Sequence, residues 1–294
     1  MQTFSFKAMA CECTIQVDAP PHANVNKTLD LIRAEALRIQ DKYSRYNPHS
    51  VISQINSRAG SADFECDTET QQLINFAVQL HHQFDSVFDL TSGALRQAWD
   101  FSAQRLPSPQ HLEACLARVG WDKVAWNGKT IQLSLPGMEL DLGGIGKEYA
   151  VDRIAQILTQ AGYHSALINF GGDVFATGPK KDASPWQVGI RHPRKNDQMI
   201  ATLPLSHGGL ATSGDYERYM EVNGQRFSHL LHPQTGWPVQ HWQSISVLAP
   251  TCMLAGALST TFMLLEDKAV QHLRACGLQS LCISAPFGVQ TFPD

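Results

Sequence analysis

A chain of 294 residues that is 43% hydrophobic and 17% charged has the composition of an ordinary globular protein, enough for one large core or two small ones. Its formal charge of −4, with no block of Lys or Arg, argues against nucleic acid or an anionic membrane as a partner. No segment is long and apolar enough to span a bilayer, and "MQTFSFKAMACECTIQVDAP" lacks a basic stretch followed by a long apolar run, so a cytoplasmic location is expected.

"CTIQVDA" alternates as a strand does, and a helical stripe follows through Leu29, Ile32, Ala36, Leu37 and Ile39. "SRYNPHSVISQIN" reads as an exposed loop entering a short helix. "ETQQLINFAVQLHHQF" then repeats the helical period with Leu73, Phe76, Ala77 and Leu80 on one face, and His81 and His82 at its end. "KVAWNGKTIQLSL" has the pattern of a hairpin in which Asn127 and Gly128 supply positive φ. A helix is expected from Lys147 to Gln160, and strands at "SALINF", "WQVGIR", "QSISVLAP" and "LCISAP". "RYMEVNGQRFSHLL" is a second hairpin turning at Asn223-Gly224, and "LAGALSTTFMLL" and "DKAVQHLRAC" are helical. Hairpins mixed with helices predict an α+β fold with mixed, largely antiparallel sheets. No repeat, low-complexity tract or linker divides the chain, so residues 1–294 are expected to form one domain.

Several segments can carry chemistry. In "ELDLGGIGKEYAVD", Gly143, Gly144 and Gly146 precede a helix, where backbone N–H groups can approach an anion. The stretch fits neither common nucleotide fingerprint: it lacks a Ser or Thr after Gly-Lys, and the third dinucleotide glycine would fall on Tyr149. Phosphate binding and a plain tight turn both remain open. Two further Gly-Gly pairs, in "INFGGDVFATG" and "HGGLATSGDYERY", each end a strand-like run near an aspartate, and the three loops can converge at one end of a sheet or be unrelated turns. In "FSHLLHPQTGWPV", His229 and His232 can be metal ligands, a general base or structural. "FDLTSGALRQAWDF" brackets Trp99 with Asp89 and Asp100, which suits a flat ligand or a core equally. Cys11 and Cys13 share a strand face, but no second Cys/His pair completes a zinc pattern, and ordinary reduced thiols are expected.

Taken in order, "MACECTIQV", "YSRYNPHSVISQIN", "FDLTSGALRQAWDF", "LDLGGIGKEYAVDRIA", "LINFGGDVFATG", "LATSGDYERY", "SHLLHPQTGWPV" and "CMLAGALSTTFMLL" resemble the ApbE family of FAD:protein FMN transferases across nearly the whole chain. The resemblance implies a T-fold-like α+β domain that binds FAD and, assisted by magnesium, transfers FMN to a Thr or Ser hydroxyl of an acceptor flavoprotein, releasing AMP. By position it implies FAD contacts at Met9, Tyr46, Phe88, Asp89, Asp141 and Lys147. Asn169, Gly171, Gly172 and Asp173 would shape the flavin pocket, and Thr212, Ser213, Gly214 and Asp215 would line it, with backbone near Leu230. His229 takes the place of the active-site histidine and is the expected base. The same site with water as acceptor would be an FAD pyrophosphatase, and without turnover an FAD-binding protein.

Two positions depart from the resemblance. Aspartate is usual where this chain has His232 and Gly256. The second aspartate would bind magnesium together with backbone oxygen at Gly144 and a hydroxyl at Thr260, with Ser259 beside it. Glycine offers no side-chain oxygen, so magnesium is expected to bind more weakly unless FAD phosphates, Asp173 or Asp215 compensate. His232 is expected to alter how His229 is oriented. "TSGAL" resembles a flavin acceptor core but carries Leu95 where the modified hydroxyl would stand, so self-flavinylation there is not expected.

Overall fold

The computed structural model describes residues 1–19 and 25–293, and of Asn196 the backbone alone. The chain opens with a hairpin, β1 (Gln2–Ala8) and β2 (Cys11–Val17), then α1 (Asn26–Tyr43), α2 (Val51–Ser57), β3 (Phe64–Glu65) and α3 (Thr68–Gln83). A 3-10 turn over Gly93–Gln97 leads to α4 (Pro109–Leu116), β4 (Val124–Trp126), β5 (Thr130–Leu133) and α5 (Gly146–Gln160). Next come β6 (Ala166–Phe170), β7 (Asp173–Ala176), β8 (Trp186–His192), β9 (Lys195–Leu205), β10 (Gly208–Gly214), β11 (Tyr219–Val222) and β12 (Gln225–Ser228). The chain closes with β13 (Trp242–Ala249), α6 (Cys252–Leu265), α7 (Ala269–Cys276), β14 (Ser280–Ser284) and β15 (Gly288–Phe292).

Eight strands form one antiparallel sheet in the order β1-β2-β6-β7-β10-β13-β14-β15, and the hairpins β8-β9 and β11-β12 and the three-stranded β3-β5-β4 lie apart from it. The α+β expectation is therefore met. Strand periodicity assigns the two faces of the large sheet. Val174, Ala176, Leu210 and Leu281 share a core with Trp186, Ile190 and Leu205 of the β8-β9 hairpin. The alternate residues Phe170, Phe175, Ile245, Val247 and Cys282 join the main core with Ala150, Ile154 and Leu158 of α5 and Leu258 and Phe262 of α6. One face thus carries helices and the other a hairpin. A smaller core of Leu95, Trp99, Leu112, Met220, Phe227 and Leu231 ties the 3-10 turn to β11-β12.

Four helix starts are capped as their sequences direct. Ser50, Asp67, Ser108 and Thr251 each accept from an N–H three residues on. Asp152 of α5 also accepts from the N–H groups of Cys252 (2.7 Å) and Met253 (2.9 Å), fixing the start of α6 against α5. Of the two Asn-Gly hairpins, Asn223-Gly224 has positive φ at both residues, as expected. At Asn127-Gly128 only the glycine does; Asn127 instead turns the chain through its side chain, which accepts from the N–H groups of Lys129 and Thr130.

The segment "GGLATSG" is not a loop but the strand β10. Its glycines let α6 approach: a Cβ on Gly209 would lie 2.5 Å from both Cα and N of Cys252. Gly209→Ala must push that helix start away, and a loss of about 1–3 kcal/mol is expected, read as a lower urea midpoint with an unchanged m-value.

Candidate functional site

The alternation of the sheet decides which polar side chains meet the helices. Asp173 has the parity of Phe175 and therefore faces α5, where Lys147 Nζ lies 2.9 Å from its Oδ2. Asp173 is only 4% exposed and Lys147 is half-buried, so this is a mostly desolvated pair. Burial alone would lower the Lys147 pKa, but the charges of Asp173 and Glu148 outweigh it and hold the ammonium firmly charged. The turn Gly171-Gly172, with positive φ at both residues, joins β6 to β7 beside this pair. A Cβ on Gly171 would lie 2.9 Å from Cys11 Cβ and 3.7 Å from Lys147 Nζ, so glycine is what the approach permits. Asn169 Oδ1 accepts from Gly172 N–H and locks the turn.

Ser213 likewise faces the helices. Its hydroxyl is 2.8 Å from both Ser259 Oγ and Thr260 Oγ1 on α6. Thr212, one residue away, faces the other way: its Oγ1 meets Ser246 Oγ at 2.7 Å, directly opposite it in the β10-β13 register. Side-chain hydroxyls of Thr212 and Ser213 therefore do not line one pocket. The Gly144 loop reaches the same hydroxyl cluster, since a Cβ there would lie 3.3 Å from the Phe88 ring and 3.8 Å from Thr260 Cγ2.

His229 follows β12 immediately and extends its ladder, its N–H donating to Arg218 O at 2.9 Å. Its Nδ1 lies 3.0 Å from the same carbonyl. A carbonyl can only accept, so Nδ1 carries the proton and Nε2 keeps its lone pair. Burial lowers the His229 pKa to about 4, and the positive charges of Arg96, Arg218 and Lys147 push the same way against the Arg218 carbonyl. The imidazole is neutral near pH 7. His232, expected to influence this orientation, is engaged elsewhere: its Nδ1 accepts from Gln234 N–H and its own N–H donates to Trp237 O. The Arg218 carbonyl sets the His229 tautomer instead.

Other expected site residues are committed to protein partners. Asp141 Oδ1 accepts from Gly143 N–H at 2.9 Å, and its Oδ2 lies 3.0 Å from Arg96 and 3.5 Å from Arg45, so it organises the loop and two guanidiniums. Asp89 accepts from the N–H and hydroxyl of Thr91 and from Trp121 N–H. Asp215, beyond Gly214 at the end of β10, is held by Arg194 through two bonds of 2.7 and 2.6 Å, so it is not a free carboxylate that can replace a missing ligand. Tyr46 is exposed, its hydroxyl accepting from Arg45 at 2.6 Å. Met9 sits at positive φ in the β1-β2 turn and donates its N–H to Gln40, while Leu230 is half-buried behind His229. Trp99 is 2% exposed and donates to Gly236 O, which makes it core and removes it as a ligand platform. His81 ends α3 with its Nδ1 3.3 Å from Phe88 O, a helix-end role. Cys11 and Cys13 lie with their sulfurs 3.9 Å apart, both near Ala8 O.

Four charged residues escaped sequence reasoning. Arg45, Arg96 and Arg218 lie inside recognised segments, and all three act on the Tyr46 phenol, with Arg45 foremost through its hydrogen bond. The fourth is Glu148. Helical spacing gave its signal, since it precedes buried Val151 by three residues and Ala155 by seven. Glu148 is 7% exposed, and its Oε2 has no hydrogen-bond partner. Burial pushes its carboxyl well above the usual range, reinforced by the negative charge of Asp173.

The class that this fold defines is an α+β protein whose antiparallel sheet, helices and β11-β12 hairpin bring a neutral histidine, a cationic cluster and two buried carboxyls toward one loop system. The model of the ApbE family matches residues 9–281, and the chain belongs to that family. It is 33% identical over 262 residues to an FAD:protein FMN transferase of Haemophilus influenzae, covering 85% of this chain and 76% of that one. A Vibrio cholerae protein of the same name is 29% identical over 237 residues, covering 78% and 71%. Among solved structures, the ApbE protein of Thermotoga maritima superposes with a TM-score of 0.89 at 31% identity, covering 98% of this chain and 96% of that one. The flavin transferase ApbE of Vibrio cholerae superposes with 0.87 at 25% identity, covering 99% and 96%.

Proposed function

We propose that this chain is an FAD:protein FMN transferase acting as one domain over residues 1–294, which moves FMN from FAD to a Thr or Ser hydroxyl of an acceptor flavoprotein. The observation that carries the reading is His229: a neutral imidazole with Nδ1 bonded to the Arg218 carbonyl and Nε2 left as a base, inside a cluster of cations. Its support is the family membership and the name shared by relatives that align over most of their length.

On this reading Nε2 takes the proton of the acceptor hydroxyl as its oxygen attacks the FMN phosphorus of FAD. The bond from that phosphorus to the bridging pyrophosphate oxygen breaks, and AMP leaves with that oxygen. Arg96, Arg218 and Lys147 are placed to offset the developing negative charge. Asp141 orients the two guanidiniums that flank it, and Asp173 holds Lys147 in place. Met9, Tyr46, Phe88, Asp89, Asn169, Gly171, Gly172, Gly214, Asp215 and Leu230 form or support the walls around FAD, with Thr212 contributing backbone and Ser213 its hydroxyl. A bound divalent cation supplies further neutralisation of the phosphates.

The residues present fit such a cation. Magnesium takes oxygen ligands and is commonly held by one or two carboxylates plus substrate phosphates. Glu148 Oε2 is an orphaned buried oxygen, and the hydroxyls of Ser213, Ser259 and Thr260 lie together near the Gly144 loop. Purified protein incubated with FAD, magnesium and candidate acceptors should add one FMN mass to an acceptor Thr or Ser. AMP release without any acceptor would make the chain an FAD pyrophosphatase, and intact bound FAD under all metals would make it an FAD-binding protein.

A further inference from the structure

Gly256 stands where the resemblance implies a metal-binding aspartate, and its surroundings are not empty. A Cβ built on Gly256 would lie 2.5 Å from Glu148 Cγ, 3.0 Å from its Cδ and 3.1 Å from Oε1. A side chain at 256 on α6 and the one at 148 on α5 compete for the same space. Here α5 fills it, and fills it with a carboxyl.

We infer that Glu148 is the anionic ligand of the divalent cation in this protein, delivered from α5 into the space that Gly256 leaves on α6. This rests on the FMN-transferase reading for the purpose of the cation, but its evidence is geometric. Glu148 is more than nine-tenths buried, yet its Oε2 has no hydrogen-bond partner, and a buried carboxylate oxygen without a partner is costly unless a ligand completes it. Thr260 lies one helical turn beyond Gly256 on the same face of α6, with its hydroxyl 2.8 Å from Ser213 Oγ. The Gly144 loop approaches Thr260, so backbone oxygen from that loop is within the same cluster. Asp173 neighbours Glu148 within hydrogen-bonding reach, and Lys147 pairs with Asp173, so a second carboxyl stands beside Glu148. Among the described residues no group of three or more His, Cys, Asp and Glu side chains forms a metal centre. The expected coordination is accordingly one or two carboxylates with hydroxyl, backbone and phosphate oxygens making up the rest.

The alternative is that Glu148 is a neutral acid filling a hole. The two differ in metal binding, which needs neither acceptor nor turnover. Mn²⁺ is titrated into the full chain with FAD present, and free ion is counted by its electron paramagnetic resonance signal, against a blank of FAD and Mn²⁺ without protein. The parent should hold one Mn²⁺ per chain. Glu148→Gln, which keeps the volume, should bind at least tenfold more weakly, and the Mg²⁺-induced rise in unfolding temperature should shrink with it. The exchange variant Glu148→Gly/Gly256→Asp should regain affinity to within about threefold of the parent, whereas Glu148→Gly alone should not. Parental affinity in Glu148→Gln, or no Mn²⁺ bound by the parent, overturns the inference. Should Glu148→Gln fail to fold, equal affinity in Glu148→Gly and the exchange variant overturns it as well. None of these outcomes bears on whether FMN is transferred, which the mass assay decides separately.

Discussion

His229→Ala should lower kcat for FMN transfer by about 10²- to 10⁴-fold, the usual range for a lost general base, with KM for FAD nearly unchanged. His229 contributes a lone pair rather than a charge. Its ring is neutral in the free protein, with a pKa near 4 set by burial and by the Arg96, Arg218 and Lys147 charges. The base fails only when Nε2 is protonated, so activity should be level through the neutral range and fall as pH drops through the His229 pKa. The acid limb of kcat/KM, which reports the free enzyme, should lie well below the ordinary histidine value. The limb of kcat should lie higher, because the negative pyrophosphate of bound FAD favours the imidazolium. Stability carries the same signature with a definite sign. The unfolded chain takes up this proton near 6.5 and the folded chain only near 4, so folding weakens as pH falls through that window, and His229→Ala should remove part of the slope. An acid limb unchanged in His229→Ala, with activity retained, would remove His229 from the chemistry.

The parts of this arrangement differ in how far the sequence discloses them. Local patterns are sufficient for α1 and α3: the stripes through Ile32, Ala36 and Ile39, and through Leu73, Ala77 and Leu80, are their buried faces. They were sufficient for the Asn223-Gly224 turn, where backbone conformation is a property of two residues. They failed at β10, because Gly208 and Gly209 resemble a loop until the start of α6 is known to lie against them. β9 carries Pro204 and a polar start, and its pairing with β8 is what makes it a strand. The same division runs through the site. That glycine stands at 256, where the resemblance implies an aspartate, is legible in the sequence; that Glu148 lies against it is not, since the two are neighbours only through the packing of α5 on α6. Thr212 and Ser213 were adjacent in a motif and are separated by the sheet, a consequence of a period of two that no motif encodes. Arg45 and Arg96 come from distant segments and meet at Asp141, and Arg218 comes from a third, immediately before β11.

Lys147→Met should both destabilise the fold and weaken FAD. The Lys147 ammonium is the ion-pair partner of Asp173 and a charged neighbour of Glu148. Removing it leaves two buried carboxyls with no adjacent cation. Breaking a fully buried pair costs about 3–5 kcal/mol, and because Lys147 Nζ retains some solvent the expected loss is nearer about 2–3 kcal/mol. Lys147→Met/Asp173→Asn should recover most of the stability, because the pair is then replaced rather than broken. Binding should not recover. A lost charge-assisted contact to phosphate is worth about 1.5–3 kcal/mol, so both variants should bind FAD roughly 10- to 100-fold more weakly. Calorimetric titration with FAD alongside urea unfolding separates the two effects. If the double variant regained affinity together with stability, Lys147 would be a structural counter-ion to Asp173 and not a contact of the pyrophosphate.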